Sequence, residues 1–510
     1  MKKIVVVVAV LALALIVAPW GVGRVAETRL NAGLDKLVEQ APYLKVVDRK
    51  WTGGWFKSEQ IVTFEAFSSW IDAMNPKAIE DAMKKDAAEA ESSVESDGEP
   101  GVGASPDAVP PSADPSADPS ADKAPAPVTP EMLRFTIRNE VWHGPVLGLS
   151  GLGIARVKTH LVLSDETQKK IAEIFGPKEP IEISTRVGFT GGGTTTLTSE
   201  GRTIKPDSKS EISWETFKLA IGYSRDADKY DLDGQWPKVT VTSHEEKSQF
   251  VMTNMTVDGV GKRISGDLYD TDFNFGIDKL GILGGDGERI EVGNLHYILE
   301  TDAKDEFLEF AAKMGTGEVK SKQLSSIGIE LKEIHYDFSM RRLHIGTLVK
   351  MFAGMKAAYA KPLANALEMN KVIFAPLKEQ GVELLKYDPE LSIDRIGVVT
   401  PEGDGYLKGV ITIKGATAED FAGNSAGLIA KVHADLTIDV SEKMVQKFPN
   451  GSMAAGAAVD SGYVQRKGDR LVCKILFADG ALTVNGKPQA IPGLGGPPAA
   501  STGEGMPPAE

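Results

Sequence analysis

Three observations in the 510-residue chain predict a mainly β protein with some α: an N-terminal transmembrane helix, then an elongated, curved antiparallel β-sheet with a few capping helices. An uncharged run from Ile4 to Gly23 follows Met1-Lys2-Lys3. Alternation of apolar and polar residues with period two dominates from Glu131 onward, which is the pattern of antiparallel strands with one face buried. Helical spacing is confined to a few stretches.

Residues 1–23 read as a signal anchor. Twenty residues at 1.5 Å rise make a helix of about 30 Å, the thickness of a bilayer's hydrocarbon core. The competing reading is a cleaved secretory signal. Ala12 and Ala14 have small-x-small spacing but sit inside the apolar run, Pro19 and Trp20 spoil a site after Ala18, and Gly21-Val22-Gly23 is a weak candidate. Lys2 and Lys3 favour retention on the cytoplasmic side, and Trp20 suits the far interface, so the remainder is exported.

Residues 24–91 hold a juxtamembrane helix and the first strands. Leu30, Leu34, Leu37 and Val38 recur at helical spacing, Trp51 to Ser58 leads into a strand from Gln60 to Phe67, and 71–90 reads as a polar helix. Residues 92–130 are rich in Pro, Ala, Ser and Asp, with PSAD repeated three times. Such a stretch cannot bury enough apolar area to offset its ordering entropy and reads as a disordered linker. Residues 131–490 form the β-rich extracytoplasmic body, and 491–510 a disordered tail. In the body Ile181, Ile183, Thr185, Val187 and Phe189 alternate with polar neighbours, as do Val432, Ala434, Leu436, Ile438 and Val440. The same pattern recurs around Phe135, Leu161, Leu219, Phe275, Tyr297, Tyr336 and Cys473. Helical stretches are expected over Asp165–Phe175, Lys304–Met314, Gly346–Lys386 with Pro362 and Pro376 kinking or dividing it, and Ser441–Gln465.

A net charge of -14 suggests an acidic partner-repelling field, but residues 77–123 hold twelve acidic residues against four lysines, so the charge is not a focused patch. An acidic chain argues against nucleic acid as a partner. A single cysteine, Cys473, excludes an internal disulfide and a cysteine-based metal site.

Candidate chemistry is sparse. His160, His296, His335 and His433 fall on polar strand faces and are expected to be solvated. Asp270, Asp272 and Asn274 imitate a calcium loop, but their alternation with Phe273, Phe275 and Ile277 reads as a strand. Gly191-Gly192-Gly193 reads as a hairpin turn, with no phosphate-binding helix after it. No nucleophile elbow, zinc-binding helix or P-loop occurs, so no catalytic, cofactor-binding or metal-binding residue is assigned and the chain is read as non-enzymatic.

One local motif stands apart, Asn139-Glu140-Val141-Trp142-His143-Gly144-Pro145, where a polar cluster and Gly-Pro end a strand. With the anchored start, Gly54-x-Phe56-x-Ser58, the Pro180 to Gly191 segment, and the ending Ala478 to Lys487, which contains Asn485 and Gly486, the chain resembles the YdgA-like family of bacterial envelope proteins, a family of unknown function. The resemblance spans nearly the whole chain, the PSAD-rich segment being an insertion. It implies a structural role for Gly54, Phe56, Asn139, His143, Gly144, Pro145, Asn485 and Gly486, with His143 bonding a nearby backbone group. It also implies a single-pass protein of the bacterial inner membrane, N terminus cytoplasmic and body periplasmic.

In architecture the chain is also similar to AsmA-like envelope proteins, whose curved sheets present an apolar groove implicated in lipid handling. Two functions follow as expectations. One is an anchored factor that binds or passes a lipid or other hydrophobic cargo along its sheet; the other is a structural or assembly partner of other envelope proteins. A continuous apolar surface too large for an ordinary monomer favours the first, a closed core with polar grooves the second.

Overall fold

The computed structural model describes residues 23–67, 132–147, 151–363, 368–421 and 426–490. The predicted span Ile4–Gly23, all but its last residue, lies outside them, as do the predicted helix 71–90, the linker 92–130 and the tail 491–510. Among the described residues no helix is long and apolar enough to cross a membrane.

The strands join into a single 23-stranded sheet in which every pairing is antiparallel. It is largely a meander: most strands lie beside the next or next but one in sequence, and β6 lies beside β9. β1 (Leu44–Thr52) pairs with β2 (Lys57–Phe67), and β3 (Met132–His143), β4 (Ala155–Val162), β5 (Glu182–Val187) and β6 (Gly193–Ser199) follow in order. Short β7 (Arg202–Ile204) and β8 (Ser210–Trp214) lead to β9 (Phe217–Tyr223), which pairs with β6. The long β10 (Lys229–Ser243), β11 (Ser248–Ser265), β12 (Leu268–Leu283) and β13 (Arg289–Lys304) carry the middle of the sheet. β14 (Phe307–Thr316), the short β15 (Val319–Ser321), β16 (Glu333–His344), β17 (Glu390–Thr400), β18 (Gly403–Ile413) and β19 (Val432–Ser441) continue it. After the short β20 (Gln465–Lys467), β21 (Arg470–Ala478), β22 (Ala481–Val484) and β23 (Lys487–Gln489) complete it.

Because side chains alternate across a strand, register decides which residues share a face. Following it across the sheet, Val62 lies opposite Ile137, Ile137 opposite Leu161, and Ile183 opposite Leu197 and then Leu219. Further on, Phe275 pairs with Tyr297, Tyr297 with Met314, and Met314 with Tyr336, which meets Ile396. Leu407, Ile438 and Cys473 extend the line to β21. One face is therefore apolar from β2 to β22.

The alternation that builds this face skips a beat along one transverse row. Pro237, Asn254, Asp278 and Asn294 lie side by side on β10 to β13, with pairings recorded on either side of the row. Trp236 and Val239, Met255 and Met252, and Ile277 and Leu280 flank it and still share one cluster, so two residues rather than one separate successive inward side chains. The row begins at the break between β8 and β9, where Glu215 N–H donates to Lys238 O (2.9 Å), and ends at the break between β14 and β15. Proline supplies no ladder donor, while Asn254 (φ 48°) and Asn294 (φ 47°) adopt the left-handed conformation that asparagine tolerates. Gln235 donates to Asn254 Oδ1 (3.2 Å) and Asn254 Nδ2 to Asp278 Oδ2 (2.9 Å), stitching the row together.

Two helical layers cover parts of the apolar face. The helix over residues 23–40 packs Ala26 and Leu30 against Val141, Ile154, Ala155, Val157, Val187 and Trp51. Its inward stripe is set by Ala26, Leu30 and Asn31 and excludes Leu37, which is 44 % exposed, contrary to the spacing argument. Arg49 to Asp35 (2.8 Å) and Lys36 to Asp226 (3.3 Å) tie its outer side to the sheet. Farther along, helices Ile345–Tyr359 and Glu368–Leu385 fill the predicted stretch 346–386, and Leu348 enters a cluster with Leu268, Leu308 and Leu343. Pro376 lies inside the second helix rather than ending it.

The predicted helix Lys304–Met314 is instead β14. Asp305 (φ 54°) turns the chain, and both edges of β14 are paired, to β13 and to β16, so tertiary pairing overrides local helical preference. The predicted helices Asp165–Phe175 and, within Ser441–Gln465, Glu442–Lys447 and Gly451–Asp460 are present. Asp270, Asp272 and Asn274 lie on β12, and Gly191 and Gly192 lie in the β5–β6 hairpin turn.

Candidate functional site

Parts of the apolar face are exposed among the described residues. Leu161 is 55 % exposed, Tyr336 46 %, Met314 44 % and Ile438 36 %, on strands β4, β16, β14 and β19. Met314, Tyr336 and Ile438 sit in register with apolar neighbours on both sides, and Leu161 with Ile137 on one side. Contiguous apolar surface on this scale is a feature of ligand or partner contact in soluble proteins.

At the covered end of the face the residues of the Asn139–Pro145 motif come together with Gly54 and Phe56. β2 and β3 run side by side, so Gln60 faces Asn139 and Ser58 faces Val141. Gln60 is fully buried and Asn139 nearly so, on the parity of Val62 and Phe64. Their amides are satisfied by a chain of side chains: Thr159 Oγ1 donates to Asn139 Oδ1 (2.7 Å), Asn139 Nδ2 to Gln60 Oε1 (2.9 Å), and Gln60 Nε2 to Asn31 Oδ1 (2.9 Å). This chain crosses three strands and reaches the helix, fixing the helix at one register on an otherwise featureless apolar face.

At the end of β3, His143 is 6 % exposed. Its backbone N–H donates to Phe56 O (2.9 Å), and its Nδ1 lies 3.2 Å from Trp55 O. A carbonyl can only accept, so Nδ1 carries a proton and donates it to Trp55 O. Its Nε2 is buried without a hydrogen-bond partner among the described residues. Gly23 lies on the ring: a Cβ there would stand 2.5 Å from His143 Cε1. Gly144 N–H donates to Ile154 O (2.7 Å) and Gly153 N–H to Pro145 O (3.1 Å), and the Gly144-Pro145 bond is cis. A side chain at Gly144 would collide with Gly153 O, and one at Gly54 with Lys57 O, so both positions demand glycine. Gly54 N–H donates to Ser58 Oγ (3.2 Å), while the Phe56 ring is 60 % exposed.

A cleft of about 440 Å³ opens here, lined by Gly23, Glu27, Trp51, Gly53, Trp55 and His143 among others. Sequence reasoning missed Gln60, Glu27 and Trp51. Gln60 carried a readable signal, a polar residue at an apolar parity between Ser58 and Val62.

Asn485 and Gly486 lie far along the chain and do not join this cluster. Both have positive φ (51° and 79°) and make the two-residue turn between β22 and β23. Asn485 also accepts from Lys474 N–H (3.0 Å) and donates to Gly462 O (3.2 Å) and Tyr463 O (2.9 Å), pinning the turn to the preceding loop.

The four polar-face histidines differ. His433 is exposed. His160 and His335 are not simply solvated: each sits beside a carboxylate, Glu179 (2.7 Å) and Glu333 (2.9 Å), with side-chain exposures of only 20 % and 16 %. His296 donates to Asn294 O (3.1 Å). Among the described residues no three histidine, cysteine, aspartate or glutamate side chains are grouped to hold a metal ion. Burial raises the Cys473 thiol above its ordinary value, which keeps it protonated and unreactive on the apolar face.

A family model described as "Bacterial protein of unknown function (DUF945)" matches residues 1–492. No curated protein and no solved structure matches the chain.

Proposed function

The chain belongs to the bacterial DUF945 family of proteins of unknown function, and for this member we propose a non-enzymatic role: an inner-membrane-anchored periplasmic protein that binds or passes a lipid or other hydrophobic cargo along its sheet. The observation that carries the reading is the apolar face, continuous in register from β2 to β22 and left substantially exposed at Leu161, Met314, Tyr336 and Ile438. The helix 23–40 follows directly on the predicted span Ile4–Gly23 and lies on that same face. An anchor through residues 4–23 would set the near end of the face at the bilayer. The resemblance to YdgA-like proteins and the architectural likeness to AsmA-like proteins support an envelope setting.

Exposed positions on the face allow a clean test. A glutamate at Leu161 or Met314 puts charge on the face without entering a closed core, and a charge in an apolar contact is strongly disfavoured. Full-length protein extracted without detergent should carry phospholipid or another amphiphile by mass spectrometry, and Leu161→Glu and Met314→Glu should carry much less while melting normally. Lipid-free wild-type protein would sink the cargo reading and leave the assembly-partner role.

A further inference from the structure

We infer that three loop tips at one end of the sheet seat in the headgroup interface of an anionic lipid bilayer, giving the folded body a membrane contact of its own beside the anchor. The inference deepens the anchored reading and rests on it only for which bilayer is met. The tips join β1 to β2, β3 to β4 and β5 to β6. Register places all three at the same end: Lys57 lies opposite Trp142, His143 opposite Ala155, Ala155 opposite Val187, and Val187 opposite Gly193. The strands β1 to β6 are neighbours in order, so at about 4.8 Å apart they make this edge about 24 Å wide.

Each tip turns on glycine and holds large apolar side chains outward. Gly188 N–H donates to Gly192 O (2.8 Å) and Gly191 N–H to Gly188 O (3.0 Å), closing the loop that carries Phe189. Leu147 N–H donates to Gly151 O (2.8 Å), and Val146 bridges Leu152. Phe56, Val146, Leu152 and Phe189 are each more than half exposed. Entry into a bilayer interface removes that carbon from water and recovers the free energy of its exposure.

Charge selects the partner. Residues 52–57, 143–155 and 187–193 contain no aspartate or glutamate. The next tips along the same end do: Asp226 and Asp228 between β9 and β10, Asp267 between β11 and β12, and Asp305 and Glu306 between β13 and β14. One residue behind the acid-free tips, Arg156 on β4 lies directly opposite Arg186 on β5. Like charges set opposite each other repel, and neither arginine has an ion pair among the described residues, so the phosphates of an anionic surface relieve both. The net charge of -14 argues against such a surface for the chain as a whole, but not for this end. The anchor arrives here too. Gly23, the last residue of the predicted span, lies against the His143 ring at the end of β3, so a bilayer crossed by residues 4–23 meets this end of the sheet first.

Full-length protein with Cys473→Ser, in vesicles of phosphatidylcholine and phosphatidylglycerol, would carry an environment-sensitive fluorophore at Phe56→Cys or Phe189→Cys. Glu306→Cys, at an acidic tip of the same end, and Glu246→Cys, between β10 and β11 at the opposite end, are the controls. Unchanged circular dichroism shows that each labelled protein is folded. Lipid bearing a nitroxide just below the headgroup should remove most of the fluorescence at Phe56→Cys and Phe189→Cys, and aqueous iodide little of it; the controls should show the reverse. Vesicles of phosphatidylcholine alone, or Arg156→Gln with Arg186→Gln, should return both tips toward iodide, and indifference to both changes would overturn the anionic surface. Tips open to iodide in every vesicle, or shielded from both quenchers and so covered by protein, would overturn the membrane contact. A fluorophore at Val8→Cys with a mid-bilayer nitroxide reads the anchor separately. Val8→Cys quenched with open tips keeps the anchor and removes the tip contact; quenched tips with Val8→Cys in water do the opposite.

Discussion

Removing the Asn139 amide should be among the most damaging single changes in the protein, although it deletes no hydrophobic contact. Asn139→Ala takes the donor from Gln60 Oε1 and the acceptor from the Thr159 hydroxyl, leaving one buried and one half-buried polar group unpaired. Gln60 is 0 % exposed, so water cannot replace the lost donor. At about 1–3 kcal/mol for the buried oxygen and about 1 kcal/mol for the half-buried hydroxyl, the cost is about 2–4 kcal/mol. Gln60→Ala should cost about 2–4 kcal/mol, since it strands Asn139 Nδ2 and frees Asn31 from the sheet. The double variant should fall short of the sum by about 1–3 kcal/mol, because each deletion removes the partner that the other leaves stranded. Urea unfolding of the detergent-solubilised chain measures all three. Amide exchange along residues 23–40 adds a second readout, and Gln60→Ala should accelerate it selectively because the Asn31 link is the helix's polar tether. Single costs below about 0.5 kcal/mol, or strict additivity, would refute the idea that this side-chain relay sets the helix on the sheet.

Three further outcomes follow from the geometry. Lys431 and the Thr417 N–H and hydroxyl hold the Asp420 carboxyl down to about 2, so its ion pair stabilises fully above the unfolded value near 3.8 and is lost as pH falls toward 2; a ¹³C titration midpoint near 4 would contradict this. The Cys473 thiol, raised by burial on the apolar face, should react with a disulfide reagent at pH 8 only slowly until denaturant is added, and immediate full reaction would contradict it. Asn485→Ala should destabilise by about 1–3 kcal/mol through lost bonds and a strained φ. Asn485→Gly should recover part of that loss, and an equal effect of the two would show that backbone strain is irrelevant at this turn.

Most of the sheet was legible because its rule is local: alternation names the inward side chains, and most strands pair with one adjacent or nearly adjacent in strand order. The strand from Ile181 and the strand from Val432 read directly. What escaped reading was non-local. Phe307 to Thr316 carries Leu308, Phe310, Ala312 and Met314 on one face, but Ala311 on the other face blurred the alternation, and only pairing on both edges makes it a strand. Gln60 and Asn139 look like solvent-facing amides until the helix is laid over them. His160 and His335 share that fate, since each sits against a carboxylate, Glu179 in the loop before β5 or Glu333 two residues away. Within the motif cluster the sequence pointed to His143, Gly144, Pro145, Gly54 and Phe56, and these meet; Asn485 and Gly486 serve a separate turn.

The row through Pro237, Asn254, Asp278 and Asn294 binds the history of several strands together. Deleting one residue from β11 near Asn254 would turn every later side chain of that strand over, presenting Thr256 and Asp258 where Met255 and Val257 now stand. Its neighbours would still carry the skipped beat, so polar groups would meet carbon across both ladders. An indel here is tolerable only if β10, β12 and β13 change length in concert, and the natural place for variation in length is therefore the hairpin ends, not the row. In a chain otherwise built by adding one strand to the next, this line makes four strands a single unit of inheritance.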